Sequence, residues 1–190
     1  MEALLGILTA FGLSASAGLN AYIPLLVVAL LARYTDLIKL SSPWDALTSG
    51  WVIGALVVLL TIEFFADKVP AVNHLNDAIQ TFVRPVAGAI AFAASAQVIT
   101  DVHPAVAIIA GLLVAGGVHA TKSLAIRPAV TATTGGAGNV PVSILEDIVS
   151  TFLSIFSVVI PLVLAMFVIL FTSWIVWKMW RRIERSHPAV

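Results

Sequence analysis

Two arginines stand immediately before prolines in otherwise apolar sequence, Arg84-Pro85 and Arg127-Pro128. A guanidinium is a rigid fork of N–H donors that matches a carboxylate or a phosphate. Proline biases the preceding residue away from helical angles. Each arginine is therefore expected to leave its segment at a helix start, where fork and free amides converge on one anion. Other ionisable residues gather near similar breaks. Glu63, Asp67 and Lys68 close one apolar stretch, and Asp77 shares an amphipathic segment with Arg84. His119 and Lys122 precede Arg127, and Glu146 and Asp147 open the last long apolar stretch. A charge at the bilayer centre costs ~2.5–3.5 kcal/mol on insertion scales, so charges retained there face a cavity or one another. Two readings stay open. In the first, Arg84, Arg127 and Lys122 bind a ligand, while Glu63, Asp67, Lys68, Asp77, Glu146 and Asp147 couple ions or pair. In the second, the charges mark helix ends that snorkel or pair locally, Asp67 with Lys68 and Asp77 with Arg84.

Residues 131–141, TATTGGAGNVP, form the most site-like segment. Three glycines, three threonines and a proline argue against regular helix, so an irregular stretch held inside the protein is expected. The helix start that follows offers unpaired N–H groups and a partial positive charge. Thr133, Thr134, Gly136 and Asn139 are candidate ligand contacts there, and Asn20 joins them because a buried amide requires partners. Ser14 and Ser16 are read as close-packing residues. His74, His103, His119 and His187 are isolated, and no phosphate loop, nucleophile elbow or zinc-protease motif is present. No metal, cofactor or enzymatic activity is therefore expected.

The elements that must position these residues follow from composition. Sixty per cent of the 190 residues are hydrophobic and 11% charged, and mean hydropathy is +1.05. A soluble domain of this length cannot hide so much apolar surface, which makes an integral membrane protein the expectation. Ten basic and ten acidic residues leave no basic footprint for nucleic acid. The absence of cysteine excludes disulfides, thiol redox chemistry and Cys-held metals. Glu2 stands where a cleaved leader would carry positive charge, so the first segment is read as part of the fold.

Residues 3–33 form a first candidate span, interrupted by the small and polar run 14–20 and by Pro24. A polar connection (35–49) leads to Gly50–Ala66. Residues 71–83 read as a short amphipathic helix with Asn73, Asp77, Gln80 and Arg84 on one stripe. Spans at 85–100 and 105–118 follow, the latter with Ala107, Gly111 and Ala115 at a spacing that lets helices touch. Residues 142–182, with Pro161 near their middle, read as a partial helix to about Val158 and then a full span ending at Trp174, Trp177 and Trp180. Lys178, Arg181, Arg182 and Arg185 beyond that belt place the C-terminus in the cytoplasm. The expected fold is one all-α, polytopic membrane domain (1–190) of about four to six segments, one or two of them broken or re-entrant.

The pentapeptides FVRPV (82–86) and AIRPA (125–129) echo each other, as do Ala17-Gly18-Leu19-Asn20 with Pro24 and Ala137-Gly138-Asn139 with Pro141. An internal duplication, a pointer to transporter sites, remains open. The blocks GLSASAGLNAYIPLL (12–26), EFFADKVPAVNHLNDAIQTFVRPVAGA (63–89) and RPAVTATTGGAGNVPVSILED (127–147) resemble the membrane family called domain of unknown function 4126. Asn73 stands where that pattern leads one to expect an acid. The resemblance implies a small multi-spanning membrane protein and carries no activity or residue roles. The Arg-Pro step with its glycine-rich loop is also similar, by analogy alone, to the DedA-type lipid transporters.

The expected function is a transporter, channel or lipid translocator for a small anionic or zwitterionic solute or a phosphorylated lipid head group, with protons or cations as coupling ions. A non-transporting membrane scaffold is the alternative, and an intramembrane enzyme using His119 or an acid a third. Expected partners are the lipid bilayer and a small-molecule or lipid substrate, in the inner membrane of a bacterium; a homo-oligomer stays open.

Overall fold

The computed structural model describes residues 2–68, 70–96 and 102–186, and among them regular structure is entirely helical. The elements are α1 (Glu2–Leu19), α2 (Tyr22–Tyr34), a short 3-10 turn (Trp44–Thr48), α3 (Gly50–Ala66) and α4 (Pro70–Ala96). They continue with α5 (Pro104–Thr121), a π-turn (Lys122–Ile126), α6 (Arg127–Thr134) and α7 (Asn139–Ser186). Among the described residues three stretches are long and apolar enough to cross a membrane: Leu75–Ala96, Pro104–Thr134 and Asn139–Pro161. The apolar pieces Gly6–Leu19, Tyr22–Tyr34 and Gly50–Ala66 are shorter. Even the longest, 17 residues, extends only about 26 Å against a hydrocarbon thickness of ~30 Å.

The break expected around residue 20 is present, and Asn20 makes it. Its Oδ1 accepts the Tyr22 and Ile23 N–H groups at 3.1 Å each, capping α2 as Asn does at helix starts.

Helix α1 packs against α4, α5 and α7 through small residues. Ser16 Oγ bonds the Ser150 carbonyl (2.8 Å) and the hydroxyls of Ser150 (2.8 Å) and Ser154 (2.7 Å). Gly12 lies so close to Ser157 that a side chain at 12 would overlap its hydroxyl. Pairing 12 with 157, 16 with 150 and 154, and 20 with 147 runs α1 and α7 antiparallel. On another face of α1, Ser14 Oγ donates to the Gly111 carbonyl at 2.9 Å, and Gly18 abuts Ala115 and Val118. Hydroxyls bonded across helices and the absence of bulk allow this approach where lipid supplies no hydrophobic drive. Helix α4 crosses α5 closely, with Gly88 and Gly111 backbone to backbone.

Three expectations are corrected. The segments expected at 71–83 and 85–100 are one helix, α4, running through Pro85. Proline costs a helix one hydrogen bond, and packed neighbours in a membrane bundle tolerate it. Likewise α7 continues through Pro161, and Asn139–Pro161, expected as a partial helix to about Val158, is itself long and apolar enough to cross. The full span expected after the proline falls in part on side chains outside the described residues. Finally, 131–141 is mostly helical. Residues 131–134 complete α6, 139–141 begin α7, and only 135–138 form a turn. Gly135 and Gly136 take positive φ (62° and 91°), a left-handed helix ending that favours glycine. Their role is to reverse the chain.

Candidate functional site

The charged residues gather into one buried cluster. Arg84, in the interior of α4 and fully buried, donates from Nη2 to Glu63 Oε1 near the end of α3 at 2.8 Å. The same nitrogen lies 3.7 Å from Asp67 Oδ2. Arg127 donates from Nη2 to that Asp67 oxygen at 3.1 Å and to Glu146 Oε2 at 3.3 Å. From Nη1 it donates to Asp77 Oδ2 at 2.8 Å. The two Arg-Pro steps thus meet at a single oxygen, Asp67 Oδ2. They do so from helical backbone, since Arg84 lies within α4 and Arg127 has φ −63° and ψ −44°. The expected exit of each arginine at a non-helical step is corrected; packing overrides the local bias of proline.

The π-turn aligns the basic residues. Its last bond runs from the Arg127 N–H to the Lys122 carbonyl, stacking residues five apart that would stand ~140° apart around an α-helix. Lys122 and Arg127 can then share Glu146 Oε2, the lysine at 2.6 Å. The wider turn also gives the Pro128 ring room that the i−4 carbonyl denies it in a tight helix. Lys122 Nζ donates further to the Leu19 carbonyl at 3.2 Å, one of the unpaired carbonyls where α1 ends. On the rim, Asp147 accepts from Lys68 at 3.4 Å and from Asn20 Nδ2 at 3.0 Å. The local pairs anticipated from sequence do not form: Lys68 reaches Asp147 rather than Asp67, and Asp77 holds Arg127 rather than Arg84.

Asn76 and Ser143 lie outside the expected set, and His119, read as isolated, joins the cluster. Asn76 Nδ2 donates to Asp67 Oδ1 at 2.6 Å, and Ser143 Oγ to Asp67 Oδ2 at 3.2 Å. His119 Nδ1 stands 3.2 Å from Arg84 Nη1, and its Nε2 is 3.2 Å from Thr81 Oγ1. Arginine can only donate, so Nδ1 accepts, the ring proton sits on Nε2, and Thr81 passes its own hydroxyl to the Asp77 carbonyl. The signal for His119 is in the sequence. Ala107, Gly111, Ala115 and His119 repeat every four residues and are all buried. The Asn73 side chain lies outside the described residues.

Thr133, Thr134, Gly136 and Asn139, expected as ligand contacts, are placed elsewhere. Thr133 and Thr134 donate to carbonyls of their own helix, the nearest at 2.9 and 2.6 Å. The Asn139 amide donates to Thr131 at 2.9 Å, and Gly136 forms the reversal. Both threonines are exposed, so the segment is a surface turn rather than an interior loop. Thr133→Val is accordingly expected to move stability by no more than about 0.5 kcal/mol, read as thermal unfolding of the purified chain in detergent.

A family model described as Domain of unknown function (DUF4126) matches residues 7–182. The chain belongs to that family. The match takes in every residue of the DUF4126 charge cluster, from Asn20 to Asp147. No curated protein and no solved structure matches the chain.

Proposed function

We propose that this DUF4126 chain is a membrane transporter or lipid translocator whose substrate site is the buried charge cluster. The observation that carries the reading is the sharing of Asp67 Oδ2 by Arg84 and Arg127. An anionic group on a substrate can replace that oxygen between the two guanidinium forks. Carboxylates already outnumber cations in the cluster, so a bare anion fits poorly. A zwitterion, or a phosphorylated solute or head group accompanied by protons or cations, fits best. In this reading α1 with α2, and α3, are re-entrant or partial segments that bring helix ends to the site. The protein lies in the inner membrane of a bacterium with its C-terminus in the cytoplasm, and it carries out no bond-making chemistry.

Proteoliposomes holding a trapped pH dye test this reading with glycerol phosphate, phosphocholine and glycine as probes. At least one probe is expected to drive an internal pH change in wild type, and Arg84→Lys and Arg127→Lys to suppress it, because charge survives but the fork is lost. If none of the probes moves and none shifts the thermal midpoint of wild type, the transport reading fails. The extensive internal pairing of the charges supports a second reading, a non-transporting scaffold. It requires that the same arginine variants leave every function intact once the fold is intact.

A further inference from the structure

We propose that Glu63 binds an exchangeable proton on Oε2. Among the described side chains the cluster joins four cations (Lys68, Arg84, Lys122, Arg127) and five carboxylates (Glu63, Asp67, Asp77, Glu146, Asp147). One negative charge is uncompensated in a setting where an unpaired charge is costly. Glu63 is where that excess is least tolerable. Its side chain is 1% exposed, deeper than Asp77 at 19% and Asp147 at 17%. One oxygen holds Arg84, whereas Oε2 has no hydrogen-bond partner. A few residues before Arg84 on α4, the buried Gln80 also presents an unpartnered acceptor, Oε1. A protonated Oε2 can donate to an acceptor of this kind, whereas a carboxylate oxygen can only accept.

The charged and titratable groups facing Glu63 come from every side: Tyr22 on α2, Asp67 after α3, Arg84 on α4, and Lys122 in the π-turn. His119 on α5 acts through Arg84. As pH falls, hydronium gives its proton to Oε2, an O–H bond forms, water leaves and the carboxylate charge is cancelled. Arg84 Nη2 then loses its closest ionic partner. The next is Asp67 Oδ2, 3.7 Å away, the oxygen already holding Arg127. Protonation of Glu63 therefore draws both forks onto one carboxylate. In the transport reading, on which this consequence rests, that is how a proton alters the substrate site.

Infrared difference spectroscopy of the full chain in lipid bilayers, stepped from alkaline to acid pH, reads the proton directly. We expect a protonated-carboxyl band that grows as pH falls, is absent in Glu63→Gln and is displaced in Glu63→Asp. An unchanged band in both variants, or no such band in folded wild type, overturns the proposal. If Glu63→Gln does not fold, Glu63→Asp decides by displacement alone. Transport lost with the band retained counts against the function above and leaves the proton site standing. Transport present with no Glu63 band overturns only the proton site.

Discussion

Arg127→Ala is expected to be the most damaging single change to a charge, lowering stability by about 3–5 kcal/mol, the range for removing one partner of a buried ion pair. The expectation follows from geometry. Arg127 alone spans Asp67, Asp77 and Glu146, at 3.1, 2.8 and 3.3 Å, so its loss strips Asp77 of its cation and leaves Asp67 and Glu146 to Arg84 and Lys122 alone. Arg127→Lys restores the charge without the fork and should fall between wild type and alanine. Lys68→Ala is the control. Its contact with Asp147 is longer, 3.4 Å, and both groups are partly exposed, so its loss should cost less than about 1 kcal/mol. Chemical denaturation of the purified protein in one detergent orders the four proteins. Equal losses for Arg127→Ala and Lys68→Ala would contradict the arrangement.

Gly111→Leu is expected to abolish folding, at a cost of about 3 kcal/mol or more from overpacking. The first carbon of any side chain at 111 would stand 2.5 Å from the Gly88 carbonyl oxygen and 2.6 Å from the Ala89 Cα. These are backbone atoms, which cannot rotate away. Gly117, six residues later in α5, has open space where its side chain would begin. Gly117→Leu should therefore yield monodisperse protein on size exclusion, and Gly111→Leu aggregate or none. A well-behaved Gly111→Leu protein would mean that α4 and α5 do not cross there.

Much of this was legible in the sequence, and the failures share a cause. Composition identifies the membrane class, the run at 14–20 marks the α1–α2 break, and the gathering of charges at breaks points to the cluster. The prolines mislead. At Pro85, Pro128 and Pro161 local bias predicts a boundary, yet the chain stays helical through each, because bundle packing and a π-turn meet the cost. The polar stripe read on α4 is incomplete rather than misplaced. Asp77, Gln80 and Arg84 were recognised, but the neighbour that holds Asp67 is Asn76, which with Gln80 and Arg84 keeps strict four-residue spacing. Ser143, Ser150 and Ser154 recur at helical spacing on α7, and serine in apolar sequence invites a reading as filler. The threonines and glycines of 131–141 suggested a ligand loop because residue types that end a helix are also those that cradle an anion.

The continuous helical course from Pro104 to Thr134 has an electrical consequence. At 1.5 Å per residue Arg127 stands about 10 Å from the Thr134 end and about 35 Å from the Pro104 end, and Lys122 about 18 and 27 Å. The cluster is therefore well off centre along this candidate span. An elementary charge crossing a whole membrane exchanges ~2.3 kcal/mol for each 100 mV, and most of that drop falls on the long side of the cluster. In the transport reading, an ion that enters from the Thr134 side reaches Asp67 having felt a minor share of the voltage. Its departure toward Pro104 traverses the remainder, past Gly88, Gly111 and Ser14. In that reading membrane voltage acts mainly on the second leg, which makes the closely packed crossing of α1, α4 and α5 the principal dielectric barrier to the ion.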